Sequence, residues 1–94
     1  MLPLGMEARK IVAWNIRRLR VEKGLSQEAL AIDAGIGRAY ISGIERQSRN
    51  PSVDVLEKVA KTLDTPLMEL FREPERGDRA PKSLPRGRKR GRKN

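Results

Sequence analysis

The side chains of this chain that can do chemistry are arginines and amides rather than a nucleophile or an acid–base pair. Among its 94 residues there is no histidine and no cysteine. That removes the commonest metal ligand, the commonest general base, every disulfide and every thiolate metal site. No catalytic, metal or cofactor constellation emerges from the remaining residues. Arginine contributes a planar fork of donors and a permanent charge, which suits binding more than bond making. The most ordered arrangement of such groups is GIGRAYISGIERQSRNPS, Gly35 to Ser52. Ile36, Tyr40, Ile41 and Ile44 make one apolar stripe at helical spacing, and the other side reads Arg38, Ala39, Ser42, Gly43 and Arg46. Glycine inside a helix costs about 1 kcal/mol relative to alanine. Gly43 therefore needs a reason: either another backbone comes close on that side, or a side chain there would clash with a neighbouring helix.

The elements that must carry this stretch are short helices. With 3 % aromatic and 35 % charged residues, a core can be assembled only from Leu, Ile, Val and Ala, which favours an all-α domain. From about Glu7 to Glu22, Val12, Ile16 and Leu19 recur at amphipathic spacing, with Trp14 off the main stripe, and Lys23-Gly24 supplies a stop. Ser26 stands as N-cap before Gln27, Leu30, Ala31 and Ala34, and Gly35 closes that second helix. The third helix starts near Arg38. Ser52 caps a fourth, with Val53, Leu56, Val59, Ala60 and Leu63 on its stripe. Thr65 as cap and Pro66 at the first helical position predict a fifth short helix through Leu67, Leu70 and Phe71. No apolar run reaches the 18 or so residues of a membrane span, and MLPLGMEARK lacks a signal-peptide core, so a cytoplasmic protein with no membrane partner is expected.

The net charge of +9 is unevenly spread: nine basic residues against Asp78 alone place +8 of it in residues 76–94. That segment, rich in Pro and Gly with little to bury, reads as a disordered basic C-terminal tail after a domain spanning 1–75. Its Arg86-Gly87-Arg88 and Arg90-Gly91-Arg92 units resemble an AT-hook, although Lys89 stands where the usual proline would be. A phosphate-seeking polybasic arm is the other reading.

Two helices joined steeply need a small residue at closest approach and a residue tolerant of positive φ at the turn, which Ala31 and Gly35 supply. This series, continued by Ile41 and Ile44, resembles the helix-turn-helix of the phage repressor and Cro family, with the unit at about 27–46. The resemblance spans roughly residues 11 to 72, and KGLSQEALA, YISGIER, RNPS and LEKVAKTL fall at the family's spacing. Within that family, RAYISGIERQSRN is most similar to the controller proteins of restriction-modification systems. The resemblance implies a five-helix repressor-like domain, a homodimer, a palindromic operator in double-stranded DNA, and regulation of transcription without catalysis.

It also assigns residues. The helix starting near Arg38 would enter the major groove, where an arginine fork matches two acceptors of guanine, making Arg38 the expected base reader. Ala39 and Ser42 would add a methyl and a hydroxyl contact. Tyr40 suits either a DNA contact or half-buried packing, and Gly43 would let the DNA come close. Gln27 resembles the family's phosphate-binding glutamine at a helix N-terminus. Arg46, Arg49 and Asn50 fit phosphates or flanking bases. Arg20 and Glu45 match a pair that orients the recognition helix. Gly37 departs from the family's usual capping residue, and Ala29 from a common glutamate. Leu63, Leu67, Met68, Leu70 and Phe71 are the apolar surface expected to dimerise, or else to close the monomer core. Two other classes remain open at this point: an RNA- or ribosome-binding protein, suggested by the arginine-glycine tail, and an antitoxin-like protein-interaction module.

Overall fold

The computed structural model describes residues 7–74. Four α-helices follow one another: α1 (Ala8–Glu22), α2 (Gln27–Ala34), α3 (Arg38–Glu45) and α4 (Val53–Thr62). Among the described residues there is no strand. α1 packs against α3, and α2 against both α3 and α4. Ile16, Leu30, Ile41, Val59, Leu63 and Leu70 meet in the centre with 0 % exposure. Each such side chain contributes roughly 1.5–3 kcal/mol through apolar burial, so short helices of modest propensity are held by their shared core.

The helix starts follow the expected chemistry. Ser26 Oγ accepts from the Ala29 amide at 3.0 Å, and Ser52 Oγ from the Val55 amide at 3.1 Å. Gly37 caps α3 with no side-chain bond. At the other end, all four helices use one device: a left-handed residue after the last turn, and two amides folding back onto carbonyls of that turn. At α1 Gly24 has φ 73°, with Leu25 N on Arg20 O at 2.9 Å and Gly24 N on Val21 O at 3.0 Å. Gly35 (φ 71°) does the same after α2. After α3 and α4 the left-handed residue is not glycine but Gln47 (φ 66°) and Asp64 (φ 56°).

Two expectations are corrected. No fifth α-helix forms; Leu67–Phe71 is a 3-10 turn preceded by Pro66 in extended conformation, so Pro66 caps rather than begins it. Five residues are too few to recover the nucleation cost of an α-helix, and the tighter i→i+3 bonding suffices for one turn held by outside contacts. Those contacts come from Asn15, a buried amide on α1 that donates to Leu70 O at 3.1 Å and Arg72 O at 2.7 Å. Arg18 donates to Asn15 Oδ1 at 3.1 Å and pairs with Glu69 at 3.4 Å, tightening the same join. The second correction concerns the apolar residues expected to dimerise. Leu63 and Leu70 are wholly inside the monomer, Leu67 packs against its core, and Met68 and Phe71 remain 80 % and 46 % exposed. The basic tail at 76–94 lies outside the described residues.

The left-handed glutamine generates a stability prediction. A non-glycine residue in that region carries about 1–2 kcal/mol of strain, partly offset in a glycine variant by the greater freedom of its unfolded chain. Gln47→Gly should therefore raise stability by about 0.5–1 kcal/mol in urea denaturation, and a loss of stability would contradict this account of the turn.

Candidate nucleic-acid interface

One side of α3 faces outward and carries the expected groups. Arg38 and Ala39 in its first turn are exposed, Ser42 is half-buried one turn on, and Arg46 caps the helix in the open. Arg46 Nη1 donates to Ser42 Oγ at 2.5 Å, which leaves the serine hydroxyl hydrogen free to donate elsewhere. Arg38 makes no hydrogen bond or ion pair with any described residue, so its guanidinium is fully available. Asn50 and Arg49 follow on an exposed loop. Arg38, Arg46 and Arg49 give this side a concentration of positive charge.

Beneath it, Arg20 and Glu45 form the expected ion pair, and it is bidentate. Arg20 Nε lies 2.7 Å from Glu45 Oε2 and Nη2 lies 3.0 Å from Oε1, with the two side chains only 3 % and 4 % exposed. Arg20 Nη1 also donates to Leu25 O at 2.8 Å. Gln27, expected at a phosphate, here donates its amide to Glu45 Oε1 at 3.2 Å. Thus α1, the start of α2 and the end of α3 converge on one carboxylate. Glu45 would otherwise be badly placed, because the C-terminal end of a helix disfavours negative charge.

Gly43 is buried, although it shares a side with Ser42 and Arg46. Among the described residues, the neighbour nearest that position is neither another helix nor backbone but a loop side chain. A Cβ at Gly43 would overlap Cγ of Arg49 and lie 3.5 Å from its Cβ and Cδ. Beyond that stem, the Arg49 guanidinium carbon sits 4.9 Å from the centroid of the Tyr40 ring. Tyr40 is accordingly half-buried, packed against the core on one side and carrying Arg49 on its ring. Sequence reasoning placed these residues at the site but did not see their mutual contact, since the chain reverses at a left-handed glutamine that no propensity signals. It also missed Asn15, whose only signal was an amide on the apolar face of α1.

The sequence and the fold are similar to those of known proteins. Residues 16–70 match the family described as Helix-turn-helix, and the chain belongs to that family. The control protein C.SmaI of Serratia marcescens is 40 % identical over 66 residues, covering 70 % of this chain and 79 % of that protein. The crystal structure of the hypothetical transcription factor NHTF from Neisseria superimposes with a TM-score of 0.73 at 38 % identity, over 79 % of this chain and 85 % of that one. The restriction-modification controller C.Esp1396I, solved bound to a 19 base pair DNA duplex, is similar with a TM-score of 0.65 at 39 % identity, over 70 % and 88 % of the two chains.

Removing one partner of the buried pair leaves the other charge uncompensated. Glu45→Ala should lower stability by about 3–5 kcal/mol, whereas replacing both residues with apolar ones of similar volume, Arg20→Met with Glu45→Leu, should recover most of that loss. Denaturant unfolding of the three chains checks it; a double variant as unstable as the single one would show that the cost lies in lost packing rather than in stranded charge.

Proposed function

We propose that this protein is a sequence-specific regulator of transcription that binds a palindromic operator as a homodimer, with α3 in the major groove, and acts by binding without catalysis. The observation that carries the reading is the outward side of α3. It presents an unpaired arginine at its start, small residues along its length and two further arginines at its end, on a body locked by a buried ion pair. A helix of this kind reads base edges with its N-terminal residues while charges around it engage phosphates. The DNA-bound controller relative supports the same use of the fold. Exposed Met68 and Phe71 offer apolar surface for the second copy, and a protein with no membrane-spanning helix among its described residues suits a cytoplasmic operator-binding role.

Selection of binding sites from random duplexes tests this reading. It should return an inverted repeat whose half-site centres lie about one helical turn or a multiple apart. Recovery of no consensus, or structured RNA outcompeting the selected duplex at fixed salt, would refute it. On the selected site, Arg38→Ala should cost about 1–3 kcal/mol and relax preference at one base pair per half-site. An unchanged preference profile would remove Arg38 as a base reader.

The basic residues after Glu75 are assigned to affinity rather than to choice of sequence, because +8 of the net +9 lies there and α3 lies before it. Each neutralised phosphate contributes roughly −0.9 to the slope of log K against log salt. Deleting residues 76–94 should make that slope shallower by about 3 to 6 units on operator and random duplex alike, with the ranking of operators preserved. Unchanged slopes would take the segment off DNA, and a lost ranking would make its Arg-Gly-Arg units readers of sequence.

A further inference from the structure

We infer that Gly43 and Tyr40 are positioning residues for Arg49, holding in advance a loop-borne cation that belongs to the DNA-reading surface. The inference rests on the DNA-binding reading of α3 and deepens it: Gly43 serves the interface through a neighbouring side chain and not by admitting the duplex.

An arginine on an exposed loop ordinarily samples many rotamers, and fixing it on binding lowers affinity. Here three features fix it beforehand. The left-handed turn at Gln47 reverses the chain, and Ser48 clamps the reversal by donating from both N and Oγ to the Gly43 carbonyl, at 2.9 and 3.2 Å. The missing Cβ of Gly43 leaves a trough that the aliphatic stem of Arg49 fills, and all three nearest atoms to that position belong to Arg49. The ring of Tyr40, one turn before Gly43 on the same helix, lies under the guanidinium at 4.9 Å. Arg49 remains exposed, and no carboxylate among the described residues pairs with it. The charge is therefore held in place while its donors stay open. A glycine in mid-helix, a tyrosine half-committed to the core and an arginine beyond the helix end form one unit.

The test is a double-variant cycle on the selected duplex, combined with proton NMR of the free protein. Arg49→Ala should weaken binding roughly tenfold or more, and Gly43→Ala by about three- to tenfold through loss of pre-arrangement. In the Arg49→Ala chain, adding Gly43→Ala should change affinity by under about twofold, since nothing is left to position. It should also raise the melting temperature there, because only helix propensity then remains. Tyr40→Phe should keep wild-type affinity, and Tyr40→Leu should resemble Gly43→Ala. Without DNA, the Arg49 δ-protons should show an upfield ring-current shift that Gly43→Ala and Tyr40→Leu abolish and Tyr40→Phe retains. Equal losses for Gly43→Ala with and without Arg49 would overturn the inference, because the glycine would then face the duplex itself. An upfield shift that survives Gly43→Ala would overturn it as well. The NMR comparison needs no duplex, so a protein that selects no DNA would end the functional reading while the placement of Arg49 is still decided separately.

Discussion

The bidentate pair of Arg20 and Glu45 is the constraint on which the arrangement of this domain depends. A carboxylate at the C-terminal end of α3 opposes the helix dipole, and burying it removes the water that would otherwise tolerate it. Its presence makes sense only if Arg20 of α1 meets it in fixed geometry, as the 2.7 and 3.0 Å contacts do. The remaining valences draw in the Leu25 carbonyl from the α1–α2 turn and the Gln27 amide from the start of α2. Buried ion pairs add little net stability, because desolvation offsets most of the attraction. What this one supplies is geometry: α3 has one orientation in which all these donors are satisfied, and in that orientation Arg38, Ala39 and Ser42 face outward.

Around that fixed helix, the chain controls its direction at four equivalent places. Each helix ends in a left-handed residue with two back-folded amides, and the consequences differ by location. After α2 the turn at Gly35 leads into α3, which packs against α2. After α3 it returns Arg49 over Gly43 and Tyr40, extending the basic side beyond the helix itself. After α4 it leads to the 3-10 turn, which Asn15 and Arg18 bind to α1. One local device thus sets the packed helix pair, the loop-borne arginine and the surface carrying Met68 and Phe71.

Much of this was legible in the sequence, for identifiable reasons. Ser26 and Ser52 are caps whose hydroxyls compete for helix amides, and Gly24 and Gly35 are stops whose φ values few other residues tolerate, so each is readable from one position. The stripe through Ile36, Tyr40, Ile41 and Ile44 follows a period. Arg20 with Glu45 was readable only through the family resemblance, being 25 residues apart in sequence. Features that depend on tertiary contact were hidden. Gln47 and Asp64 carry weak left-handed signals and are imposed by their helices. Leu63 and Leu70 have the same residue type as an exposed interface and were separable from Met68 and Phe71 only by burial. The 3-10 turn depends on an asparagine more than fifty residues away. Gly43 signalled a close neighbour correctly, yet nothing in a periodic pattern could name Arg49 as that neighbour.

The central claim is that the outward side of α3, oriented by the buried pair, is where DNA is bound. An NMR titration of the full chain with its selected duplex tests it most directly, because backbone amides report contact residue by residue without any substitution. The account predicts that shifts among residues 7–74 concentrate at Gln27, along Arg38 to Arg46, and at Arg49 and Asn50, while the amides of mid-α1 stay in place. Shifts centred instead on α1 and the 3-10 turn, with α3 unmoved, would contradict it.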